Sequence, residues 1–208
     1  MSKSSMSRRA FGTLAAGWVL GSAADLKAAD DQPKKAAGPT EAAWERDYPA
    51  PAFQPSWRKP QLNRGLVQDF VIYAHSDLGM VQKLLAREPA LLNATMDWGA
   101  GDWETGLGGA SHMGRRDIAE FLLAHGARID LFCAAMLGQL DAVKSFLTLQ
   151  PKLIDAKGPH GLTLHFHAQV GGKEAAAVLD YLQSLKKVEL KPVPFLSKPT
   201  DAPARRPK

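Results

Sequence analysis

Histidine is the residue whose spacing most invites chemistry in this chain. His160, His165 and His167 fall close together, and imidazoles in a His-x-His step on a strand or turn can chelate zinc or copper. No cysteine or second carboxylate cluster is near them in sequence, so no metal is expected there, and an open hydrolytic site would also need a positioned base. His75, His112 and His125 stand singly in helices or turns. The one cysteine, Cys133, excludes an internal disulfide and any cysteine-based zinc or iron–sulfur cluster held by this chain alone. Its apolar surroundings, Leu131-Phe132-Cys133-Ala134-Ala135-Met136-Leu137, offer no base to activate a thiol, so it reads as a small buried hydrophobe. No Gly-rich phosphate loop, locally supported Ser/His/Asp set or His-Glu-x-x-His helix is present.

The elements that must position these residues begin after a long leader. Residues 1–24 hold Lys3, Arg8 and Arg9, no acid, and the apolar run 11–24, which is short for a bilayer span. Ser7-Arg8-Arg9-Ala10-Phe11 resembles the twin-arginine export signal of bacteria, with Arg8, Arg9 and Phe11 as its reading points. Ser22-Ala23-Ala24 suits a signal peptidase, which implies an exported, periplasmic chain with no membrane span after cleavage. Residues 25–62 are Pro-rich and read as a spacer whose aromatics, Trp44, Tyr48, Phe53 and Trp57, are expected to cover one end of the folded part. Residues 186–208 read as a basic, Pro-rich disordered tail.

The 208 residues carry a net charge of +5, which invites a nucleic-acid or anionic-membrane reading until the charges are placed. Residues 1–24 contribute +3 and residues 186–208 contribute +5, so the part between them carries −3. Basicity belongs to the leader and the tail, and nucleic acid is not an expected partner.

Between leader and tail the chain is self-similar. Segments 76–85, 114–123 and 138–147 share small or apolar residues at their fifth and sixth positions and large apolar pairs, Leu84-Leu85, Leu122-Leu123 and Phe146-Leu147, at their ends. The last two open on Gly114 and Gly138, as a tight reversal between two helices demands. Around the second segment stand Thr105, Leu107, Ala110, Ser111, Gly114, Leu122-Leu123 and Gly126-Ala127. This pattern resembles the ankyrin repeat, which has a period of about 33 residues and is built from a β-turn finger and two antiparallel helices. Gly106 and Gly108 stand where that family has the Pro and His of its Thr-Pro-Leu-His opening. Spacing predicts about five extra residues in the finger at 93–105 and loss of the finger in the third copy. A degenerate fourth copy is expected over 155–185, with His165 as the histidine of the opening Gly161-Leu162-Thr163-Leu164-His165.

The resemblance implies an all-α, short ankyrin-repeat solenoid of three to four helix-turn-helix repeats with β-turn fingers over residues 63–185. It also implies protein–protein binding without enzyme activity or cofactor. The expanded finger, with Asp97, Trp98, Asp102, Trp103 and Glu104, is the first candidate partner surface, and His112 and Met113 on the inner helix are the next. Arg115-Arg116 reads as a solvated turn. Two readings of other classes stand beside this one: a metal carrier or metal-dependent enzyme using His160, His165 and His167, and an accessory factor whose basic tail engages anionic envelope polymers or a membrane surface.

Overall fold

A computed structural model of the chain describes residues 41–53, 58–193 and 195–196. Arg8, Arg9, Phe11 and Trp57 lie outside the described residues. The chain divides into two compact units at Trp44/Glu45. In the second unit the described residues form eight α-helices and one two-stranded hairpin, so it is mostly helical.

The helices come as four antiparallel pairs. They are α1 (Arg64–Ala74) with α2 (Leu78–Arg87), α3 (Gly106–His112) with α4 (Arg116–Ala124), α5 (Leu131–Met136) with α6 (Leu140–Leu149), and α7 (Leu164–Val170) with α8 (Ala176–Leu185). Inner helices α1, α3, α5 and α7 pack in that order, each against the next. Side-chain caps start several helices: Asn63, Asp77, Thr105, Asp130 and Thr163 each accept from a backbone N–H in the first turn.

The turns inside the second and third pairs need glycine. Gly114 and Gly138 adopt φ of 65° and 76°. A Cβ on Gly138 would also lie 2.1 Å from the carbonyl oxygen of Glu174, so both the backbone conformation and the close approach exclude a side chain.

Strands β1 (Thr95–Asp97) and β2 (Trp103–Thr105) pair antiparallel, with Thr95 opposite Thr105 and Asp97 opposite Trp103, and form the finger before α3. Residues 125–130 join α4 to α5 with no finger, and the Lys157–Thr163 bridge closes a short one before α7. Two hydrophobic clusters result. The first gathers Phe70, Val81, Leu91, Leu107, Ile118 and Leu122, and the second gathers Leu131, Val143, Leu164, Val178 and Leu182.

Two expectations about the flanks change. Residues 186–193, assigned to the tail, run along the helices: Gln169 donates to the Lys191 carbonyl, Gln183 bonds Val188 in both directions, and Val193 is buried in the first cluster. An apolar side chain and three backbone bonds hold this stretch despite its lysines. Trp44, Tyr48 and Phe53, expected to cover an end of the fold, are exposed. No helix among the described residues is long and apolar enough to cross a membrane.

Candidate functional site

Strand alternation decides what the finger presents. Along β2, Trp103 points outward and is 60% exposed, while the next residue, Glu104, points inward and is 1% exposed. A carboxylate taken out of water must gain partners, and the chain supplies them from three sides. His112 Nε2, at the end of α3, lies 2.9 Å from Glu104 Oε1. His75 Nε2, just past α1, lies 3.4 Å from Oε2, and His160 Nε2, in the turn Pro159–Gly161, lies 3.7 Å from Oε2. The Trp98 indole N–H donates to Oε2 at 2.8 Å.

Burial by itself pushes the Glu104 carboxyl up. The His112 contact, the charges of His75 and His112 and the Trp98 hydrogen bond outweigh it, so its pKa falls below the ordinary carboxylate value. Among the described residues Oε1 nevertheless has no hydrogen-bond partner: His112 Nε2, 2.9 Å away, is hydrogen-bonded to His75 Nε2 at 3.1 Å instead.

Each imidazole is also held from behind or packed against a neighbour. His75 Nδ1–H donates to the Val71 carbonyl at 2.8 Å. His160 Nδ1–H donates to Asp102 Oδ2 at 2.9 Å, and the His160 backbone N–H donates to Oδ1 at 2.8 Å. Trp98 stands edge-on to both His75 and His160, and the ring of His112 stands edge-on to the same two. A Cβ on Gly109 would lie 2.8 Å from the His75 ring, so the glycine makes room for that imidazole.

The sequence-derived site residues therefore separate. Asp97 accepts from the backbone of Gly99 and Gly101 and shapes the finger tip. Glu104 and His112, expected on an open partner face, are buried in the histidine cluster because the strand register and the end of α3 turn them inward. Trp98 is partly drawn in with them. Trp103 remains exposed, and Met113 caps α3, half-buried.

The His160, His165 and His167 grouping does not form. His165 and His167 lie on α7 rather than on a strand or turn, and a two-residue step on a helix points side chains about 200° apart. His165 Nε2 bonds the Lys186 carbonyl, and His167 Nδ1 bonds the Thr163 carbonyl. Burial lowers the His167 pKa to about 4 despite that bond. Cys133 is buried, and burial raises its thiol to about 11, which makes it a poor nucleophile.

Beside the cluster an open groove of about 290 Å³ runs between the finger and the Lys157–Thr163 turn. Asp102, Trp103, Asp130, Phe132, Lys157 and Pro159 line it. It lies where the third helix pair has no finger to fill the space.

No family model, curated protein or solved structure matches the chain.

Proposed function

We propose that the protein is an ankyrin-type repeat module, exported by the twin-arginine route, that binds another protein in the bacterial envelope without catalysing a reaction. The observation that carries this reading is the groove left beside the finger, walled by the exposed ring of Trp103 and by Phe132, with Asp102, Asp130 and Lys157 as polar groups. Aromatic anchors flanked by a few charges are the residue types that dominate binding energy at protein interfaces. The groove suits a short extended segment carrying one large apolar side chain and a neighbouring charge. A chain of local helix pairs folds readily, as the proposed export route for folded cargo would require.

The test places a photo-crosslinking amino acid at Trp103 and illuminates the native envelope fraction. One specific adduct is expected, and its binding to the purified chain should weaken at least tenfold in Trp103→Ala and in Phe132→Ala, with helix content kept. Equal affinity in both variants refutes the groove as the interface.

A further inference from the structure

We propose that His75, Glu104, His112 and His160 bind one divalent transition-metal ion of the zinc class, at a site that adjoins the partner groove through Asp102. The four donor atoms lie within 4.8 Å of one another. The inner contacts are 3.1 Å between His112 Nε2 and His75 Nε2, 2.9 Å from His112 Nε2 to Oε1 and 3.4 Å from His75 Nε2 to Oε2, with His160 outermost at 3.7 Å. Zinc bonds of 2.0–2.1 Å in a tetrahedron set donors roughly 3.3–3.4 Å apart, in the middle of that range.

The tautomers leave ligand lone pairs directed into the cluster. A carbonyl and a carboxylate only accept, so the Val71 carbonyl and Asp102 place the hydrogen of His75 and of His160 on Nδ1. With those hydrogens on Nδ1, both Nε2 lone pairs are directed into the cluster: His112 Nε2–H donates to that of His75 at 3.1 Å, and that of His160 lies 3.7 Å from Glu104 Oε2 with no proton between them. A cation at the centre engages these lone pairs and the carboxylate together. Protons on Nε2 serve less well: His160 lies beyond hydrogen-bond distance of Oε2, His75 reaches it only at a long 3.4 Å, and Oε1 has no hydrogen-bond partner among the described residues in a fully buried carboxylate. The atoms are placed as donors around a point, and Trp98 anchors the carboxylate through Oε2, the oxygen that His75 and His160 face, while His112 faces Oε1.

The outer contacts match what metal-binding imidazoles require. Val71, Asp102 and Trp98 fix the orientation of His75, His160 and Glu104, and Gly109 leaves space for the His75 ring. Three nitrogens and one oxygen suit zinc and its transition-metal neighbours, whereas calcium and magnesium take all-oxygen shells. His75, Glu104 and His112 precede or belong to the first two helix pairs, and His160 belongs to the turn before the fourth, so the ion would join segments the helices leave apart.

The test uses the mature chain purified without a polyhistidine tag, stripped with chelator and titrated with zinc against a chromogenic competitor. One equivalent is expected. His75→Ala, His112→Ala and His160→Ala should each weaken zinc binding by more than the roughly 10–100-fold expected of Asp102→Asn, which removes only an orienting contact. His125→Ala, on α4's exposed end, should leave affinity unchanged. Because a cluster variant can fail to fold, ¹⁵N-imidazole NMR of the unsubstituted chain supplies a second readout. Zinc should shift Nε2 of His75, His112 and His160 while the Nδ1–H signals of His75 and His160 persist. Less than one equivalent in the unsubstituted chain, wild-type affinity in folded alanine variants, or zinc shifts confined to His125 overturns the proposal.

Discussion

Asp102 grips His160 with both carboxylate oxygens, one on the backbone N–H at 2.8 Å and one on ring Nδ1 at 2.9 Å. The pair spans the place where the third finger is missing, and it holds a residue with a left-handed φ of 57°. Asp102→Ala should therefore cost about 1–2 kcal/mol, since two hydrogen bonds are lost at a half-exposed site and the turn is freed to leave its unfavourable backbone region. Urea unfolding in the presence of chelator measures this without any contribution from metal. Faster amide exchange confined to residues 158–163 should accompany it, and a loss spread over the whole chain would contradict the local origin.

The two finger tryptophans should behave oppositely. Trp103→Ala removes an exposed ring and should change stability by no more than about 0.5 kcal/mol. Trp98→Ala takes a 2.8 Å hydrogen-bond donor from Oε2 of a buried carboxylate and should cost about 1–3 kcal/mol. Paired denaturation curves check the ordering.

Gly138→Ala combines a positive φ with a Cβ 2.1 Å from a carbonyl oxygen, and a loss of about 3 kcal/mol or more is expected. Gly79→Ala is the contrast. That glycine is helical with an ordinary contact at 3.4 Å, so alanine there should stabilise by up to about 0.5–1 kcal/mol. Thermal unfolding of the two variants beside the parent should move the midpoint in opposite directions.

His167 makes a prediction about acid. Its folded pKa of about 4 lies below the ordinary 6.5, so between these values the unfolded chain binds a proton that the native chain refuses. Its contribution is intact above about pH 6.5, is lost progressively as pH falls toward 4, and amounts to about 3 kcal/mol over that window. His167→Gln removes the titration. The stability difference between parent and variant, measured at about pH 7 and about pH 4.5, should shrink or invert at the lower value.

The helix pairs were legible because each carries local marks. Gly114 and Gly138 stand at reversals, Thr105 and Thr163 are caps, and the apolar pairs Leu84-Leu85 and Leu122-Leu123 include the core residues of their helices. The lack of a hairpin before α5 was legible from the short Gly114-to-Gly138 spacing set against the period of the repeat it resembles. The histidine cluster was not, because its members come from segments far apart in the chain and meet only through packing. One signal was available: His75 and His112 both close successive inner helices, which stacks them on one side of adjacent pairs. The direction of Glu104 needed the register of a three-residue strand, which no periodicity announces. His165 and His167 misled because their closeness in sequence carries meaning only on an extended backbone.

The six-residue helix α5 is the shared wall of the two hydrophobic clusters: Cys133 and Met136 face the first, and Leu131, Ala134 and Ala135 the second. A helix this short has almost no stability of its own. Cooperativity between the halves of the chain therefore rests on whether this one turn and a half survives. Opening of α6–α8 strips α5 of its second face and makes its unwinding the event that decides between a half-folded and a fully unfolded chain. Partial opening and global unfolding are thus separated by the fate of a single small element, so the chain's resistance to proteases is set at α5.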